Sequence, residues 1–224
     1  MAKTLATLKT EVRDICDEDV AGFITDNQLG RWLNSSLGRL HDLVVDVNPQ
    51  MLMERDAYQI TTTANEDTYE LPEIKKIVAV DYYDGSLYHH ISIAPMLERN
   101  LYQSNSPYYP PVSDYQWRYI SVKNGIKIIP TPTSSYIFYI WYVKKYENLN
   151  DSDNVSDAIE DEWLDWAVYD TAIKVSIRNE DNPQFFMALK SDLEQKIRQY
   201  ASRNLLGLHY APDAHRSHWE WHNE

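Results

Sequence analysis

The chain has 224 residues, 25% of them charged, and a formal net charge of −13. That length supports one good hydrophobic core, or a core with a second one embedded in it. Its acid balance excludes binding of phosphate backbones through the average surface, since that affinity comes from Lys and Arg, and it favours solubility before assembly.

Cys16 is the only cysteine, so one chain can form neither a disulfide nor a cysteine-based metal site. Met1-Ala2-Lys3-Thr4 leads straight into an amphipathic pattern with no apolar signal core, and no run approaches the ~18 apolar residues of a membrane span. Synthesis in the cytoplasm without membrane association is expected. The aromatic composition is skewed, with 17 Tyr and 7 Trp against 4 Phe. Rings with a polar handle suit surfaces that are apolar on one side and wet on the other, as at interfaces, and equally a tyrosine-rich sheet packing on itself.

Leu5, Leu8, Val12 and Ile15 mark a first helix. The second opens at Thr25, which with Gln28 forms a capping-box pattern flanked by Ile24 and Leu29 at staple positions. Its apolar face runs Leu29, Leu33, Leu37, Leu40, Val44 and Val47, and Asn48-Pro49 ends it. Gly30, Ser35, Ser36 and Gly38 lower its helix propensity, and such residues either let another backbone come close or are simply exposed.

The period then changes from 3.6 to 2. Tyr58, Ile60 and Thr62 alternate, a short strand follows at 67–71, and strands at 77–83 and 87–93 flank the hairpin signal Asp84-Gly85. A short helix is predicted from Pro95, with Met96, Leu97 and Leu101, and the Pro/Tyr/Ser-rich stretch 104–113 reads as a loop. Strands at 117–122 and 126–129 turn at Asn124-Gly125, and 136–143 is a last strand. Residues 51–146 are thus expected to form an antiparallel β domain inserted into a helical one.

Two further helical patterns follow. Ile159, Trp163, Trp166, Ala167 and Ile173 define one, and Phe186, Leu189, Leu193, Ile197 and Tyr200 the other. The polar link 178–181 between them predicts an antiparallel hairpin, with Asn182 as N-cap and Pro183 in the first turn. Residues 207–224 show no periodicity but carry Tyr210, Trp219, Trp221 and four histidines, and are expected to dock on their own domain or on another chain. The fold class is therefore α+β: an antiparallel bundle of four main helices from 1–50 and 147–206, the β domain 51–146, and the extended C-terminal segment 207–224.

Chemistry is hard to place on this pattern. Asp151, Asp153, Asp157 and Glu162 match positions 1, 3, 7 and 12 of a calcium loop, but Val155 and Ser156 stand where an oxygen ligand and glycine are needed. Acids ahead of a helix complement its dipole, which accounts for such residues without a metal. From 147 to 165 there are eight acids and no base, more than capping requires. Asp151, Asp153, Asp157, Glu160, Asp161 and Glu162 are candidates for an acidic surface or channel lining. His215, His218 and His222 have helical spacing, but a terminus without periodicity does not hold zinc ligands rigidly. His89 and His90 point to opposite faces of a strand. A nucleophile elbow, a phosphate-cradling glycine loop and a HExxH helix are all absent from the sequence, so no cofactor, metal site or catalysis is expected.

The order of several short motifs resembles the head-to-tail connector (adaptor) proteins of tailed bacteriophages. They are Thr68-Tyr69-Glu70-Leu71-Pro72, then Asn124-Gly125 with Ile129-Pro130-Thr131-Pro132, then Tyr139-Ile140-Trp141-Tyr142 leading to Tyr146-Glu147-Asn148-Leu149, and finally Ile159-Glu160-Asp161-Glu162-Trp163. The similarity spans residues 5–205, with Ala158-Ile159 where the family usually has proline. The resemblance implies a helical bundle with a β insertion and a homo-oligomeric ring of roughly twelve copies. It further implies portal protein above, tail or nozzle proteins below, DNA passing through without specific binding, and a place in the virion neck. It also implies a C-terminal segment reaching the portal, for which Tyr210, Trp219 and Trp221 are the candidate anchors and His209 and His215 lesser contacts. Two rivals remain: a tail-associated module recognising carbohydrate through its Tyr-rich β domain, and an enzyme using the acids of 151–165.

Overall fold

The computed structural model describes residues 3–17, 24–98, 117–155, 159 and 161–208. The chain divides into two compact units, Met1–Met51 with Asn148–Glu224, and Leu52–Glu147. The first is helical and the second is a seven-stranded sheet, so the fold is α+β.

The helical unit holds α1 (Leu5–Ile15), α2 (Asp26–Val47), α3 (Leu164–Arg178) and α4 (Gln184–Leu208). Thr4 caps α1 by accepting from the Thr7 N–H at 3.2 Å. At α2 both halves of the capping box form, the Thr25 hydroxyl accepting from Gln28 N–H and the Gln28 amide from Thr25 N–H. Ile24 and Leu29 are buried beside it. Asn182 accepts from Gln184 N–H at 3.0 Å and so starts α4. α4 continues to Leu208, just into the stretch that the sequence assigns to the C-terminal segment.

α3 packs against α1, α2 and α4, and it is buried nearly all round, through Leu164, Trp166, Ala167, Val168, Thr171 and Ala172. A helix without a polar stripe is a central helix. α4 is the opposite case. Ile197 and Ala201 are buried, while Phe186, Leu189 and Leu193 are only half-covered. Tyr200, assigned to the apolar face by spacing, is exposed and meets Trp163 edge-on at 5.6 Å.

Of the small residues of α2, Gly30 and Ser36 are buried, while Ser35 is exposed and Gly38 half-covered. A Cβ on Gly30 would sit 3.0 Å from Cε of Lys9, which crosses α2 there. Ser36 is fully buried beside Asp170 of α3, donating to its carboxylate at 2.7 Å. Lys174 and Lys190 approach the same carboxylate at 3.0 and 2.6 Å, and Lys190 also lies 4.4 Å above the Trp166 ring. Burial works against ionisation of Asp170, but hydrogen bonds from Lys190, Ser36 and Lys174 bring its pKa down to about 2. Burial pushes the Lys174 ammonium down, against the pull of Asp170.

The β unit contains β1 (Tyr58–Thr61), β2 (Thr68–Glu70), β3 (Ile74–Tyr83), β4 (Tyr88–Ile93), β5 (Arg118–Val122), β6 (Gly125–Ile129) and β7 (Ile137–Lys144), in the order β1-β7-β3-β4-β5-β6-β2. The sheet is mostly antiparallel. β4 and β5 run parallel, which corrects the expectation of a wholly antiparallel domain. Parallel neighbours need a crossover of a dozen residues or more, and 94–116 supplies the length. Of the helix predicted from Pro95, the described residues show a 3-10 turn at Met96–Glu98, and Leu101 lies outside them. Both halves of the sheet contribute to one core, with Ile60, Val80, Ile91 and Phe138 meeting Trp117, Ile126 and Ile128.

The two hairpins differ. At the first, Gly85 carries a positive φ (+99°), a conformation that glycine adopts without strain. At the second, Lys123 and Asn124 make the turn, with Asn124 at φ +57°. Gly125 is the first residue of β6, and its glycine answers a different need: a Cβ there would lie 2.5 Å from the Tyr69 carbonyl oxygen of β2.

Two predictions follow from these contacts. Asp170→Ala leaves two ammonium groups facing a site without counter-charge, and should cost about 3 kcal/mol in urea unfolding. The contribution of the unsubstituted Asp170 is present above the ordinary carboxylate pKa and fades as pH falls toward about 2, so the variant's deficit should narrow in acid. Gly125→Ala should push β2 from β6 and cost roughly 1–3 kcal/mol, with faster amide exchange at Ile126 and Ile128.

Candidate functional site

The acidic run is tied to the start of α1. The first N–H groups of a helix have no partner within it. Here Leu5 and Ala6 donate to the carbonyls of Asp153 and Asp151, at 3.4 and 3.2 Å, and Val155 N–H returns to the Lys3 carbonyl at 2.9 Å. The Asp153 carboxylate accepts from Asn150 N–H at 2.6 Å, closing a turn before the docked segment.

Two bases from far away in sequence meet this run. Lys9 pairs with Asp151, and Lys3 bridges Asp165 at 3.3 Å and Glu11 at 3.2 Å. Burial works to lower the Lys3 pKa, but the Glu11 and Asp165 carboxylates raise it overall. Asp161 and Glu162 stay on the exposed surface at the start of the helix. Asp157 and Glu160 lie outside the described residues. The surplus of charge seen in sequence is therefore partly neutralised by lysines that its own window does not contain. Among the described residues no group of His, Cys, Asp or Glu has the arrangement of a metal site.

A second surface lies on the β unit. Strand alternation sends Val80, Tyr82, Phe138 and Ile140 into the core, and Asp81, Tyr83, Tyr139 and Trp141 to the opposite face. On that face Tyr88 is 62% exposed, with ring centroids 4.8 Å from Tyr83 and 5.3 Å from Tyr139. Asp81 accepts from the Trp141 indole N–H at 2.8 Å, and His90 stands 3.4 Å from its other oxygen. His89 is on the core side, stacked 6.1 Å from Tyr82 and bonded at 2.7 Å to Asp84. Backbone N–H of Leu87, then His89 and the N–H of Ser86, bring the Asp84 pKa to about 2.

A third surface was not singled out by spacing. At the α3–α4 turn Ile177 is 59% and Phe185 68% exposed, and Met187 further along α4 is exposed as well. Phe186 belongs to the apolar face of α4, so its neighbour Phe185, a hundred degrees round the helix, had to fall off it. The candidate anchors His209, Tyr210, His215, Trp219 and Trp221 lie outside the described residues.

The family described as SU10 adaptor protein matches residues 3–214. The chain belongs to the SU10 adaptor protein family. The resemblance to phage head-to-tail adaptors thus holds over nearly the whole chain. The adaptor match includes both units, all of the acidic run, and His209 and Tyr210, and it ends before His215, Trp219 and Trp221. No curated protein matches the sequence. No described helix is long and apolar enough to cross a membrane.

Replacing both Lys3 and Lys9 by Gln should leave Asp151, Asp165 and Glu11 without their counter-charges. The expected result is a lower melting temperature at low ionic strength, with part of the loss restored by added salt. A salt-independent change would mean that the lysines act through packing alone.

Proposed function

We propose that the chain is a non-enzymatic structural protein of the virion neck, assembling as a ring of roughly twelve copies under the portal. It extends the DNA channel and offers the attachment site for tail or nozzle proteins. The observation that carries this reading is the adaptor-family match over residues 3–214. The apolar tip at Ile177 and Phe185 and the aromatic sheet face around Tyr88 support it, because head-to-tail rings need two different adhesive surfaces on each subunit.

The helical body carries the acidic surface of Asp151, Asp153, Asp157, Glu160, Asp161 and Glu162. Partial neutralisation by Lys3 and Lys9 fits the subunit's own fold. Asp161 and Glu162, at the exposed helix start, are the members best placed to repel a phosphate backbone and let DNA slide. The segment 207–224, whose first two residues finish α4, is the portal-docking segment, with Tyr210, Trp219 and Trp221 as anchors and His209 and His215 as lesser contacts.

A second reading draws on the ring cluster of Tyr83, Tyr88 and Tyr139, which is an aromatic platform of the kind that stacks on sugars. In that reading the β unit recognises carbohydrate on a host surface. Specific glycan-array binding by the chain, lost on Tyr88→Ala, would favour it over the adaptor role.

Co-sedimentation with portal rings of the same virion tests the adaptor reading. The full chain should bind. A chain ending at Leu208 should keep its melting temperature and fail to bind. Absence of binding by the full chain overturns the adaptor role, and binding by the shortened one overturns the docking segment alone.

A further inference from the structure

β4 meets β5 only where Ser92 and Ile93 stand opposite Arg118 and Tyr119. The chain then leaves the sheet, with Ala94 N–H donating to the Tyr119 carbonyl at 2.7 Å. Backbone groups of alternate residues in a strand point to the same side. Ser121 therefore directs its N–H and C=O as Tyr119 does, away from β6 and toward the side that β4 has left. Among the described residues neither group finds a partner. On the other wall, β3 pairs with β7 from Ile74 onward, but β4 joins it only over 80–83. The sheet is split there, and the split is a cleft of about 550 Å³ lined by Ile74, Ile77, Ile93, Tyr119, Ser121 and Val122.

The lining is graded. Ile93 is 59% exposed, large for an aliphatic side chain in a strand, and Leu71 and Ile77 lie half-covered beside it. The rim carries Lys75, Lys76 and Lys145 against Glu70 and Glu73. On a chain of net charge −13 this is a locally positive border.

We propose that this cleft takes an extended segment of a partner protein as an added strand, with apolar side chains alternating with acidic ones. Its backbone pairs with Ser121, its apolar side chains cover Ile93 and Ile77, and its carboxylates face the lysines of the rim. A strand edge asks for peptide groups, and the pleat sorts the two kinds of side chain to opposite sides. The cleft lies wholly within the β unit and stands independently of the ring.

The test uses the full chain and a capped hexapeptide of alternating Glu and Val, fluorescently labelled, with the Lys/Val peptide as its counterpart. The acidic peptide should bind saturably by anisotropy and slow exchange of the Ser121 amide about tenfold. The basic one should do neither. Ser121→Pro removes the edge N–H, which proline tolerates when that group faces outward, and Ile93→Asp spoils the apolar floor without touching the backbone. Each should abolish peptide binding while amide exchange along β3 and β7 is unchanged. An unprotected Ser121 amide at saturating peptide overturns the proposal, as does equal binding of the basic peptide, or retained binding in Ile93→Asp. Protection of Ser121 by self-association at high protein concentration would assign the edge to a second copy and also overturn it.

Discussion

One buried carboxylate constrains how the helical unit closes. Asp170 sits on the central helix α3, almost without access to water, and must be matched there or left protonated. Ser36 of α2 and Lys190 of α4 converge on it, with Lys174 one turn along its own helix. These partners are more than a hundred residues apart in the case of Ser36, so the ion network can form only when α2, α3 and α4 have found one register. Apolar seams alone tolerate sliding by a turn. A hydrogen-bonded buried ion tolerates far less, because breaking it leaves an uncompensated charge.

The β unit is organised by a different constraint. A sheet of seven strands must curl for both halves to share one core, and the chain achieves this with a parallel junction between β4 and β5. Gly125 lets β2 close over β6, and the β4–β5 junction opens the cleft beside Ser121. The same junction thus leaves a strand edge uncovered among the described residues. Natural sheets protect such edges with charge, and the charged residues at this rim, Lys75, Lys76 and Lys145 with Glu70 and Glu73, meet that need.

Local signals in the sequence were strong wherever structure depends on neighbours along the chain. The capping box at Thr25, the N-cap at Asn182 and the strands are found within a residue or two of where periodicity puts them, because these are short-range effects, except that β3 begins at Ile74, three residues early. What spacing could not reveal depends on distant partners. Lys9 in α1 and Lys3 just before it are unremarkable until the fold sets them against Asp151 and Asp165. Asn124-Gly125 reads as a turn dipeptide, yet the turn is Lys123 and Asn124, and Gly125 is required by a carbonyl from β2. The parallel pairing of β4 with β5 leaves no periodic trace, since both strands would alternate identically in either direction. The family was legible because it rests on the order of motifs along the chain, which needs no contact map.

The adaptor role turns on assembly, and native mass spectrometry measures that directly. The purified chain would be weighed alone and after mixing with portal rings of the same virion. The expected result is a single 26.3 kDa species alone and a portal complex carrying one full ring, roughly twelve copies, with no partly filled states. Portal rings that emerge without added mass, at concentrations where the chain remains folded, would contradict the account.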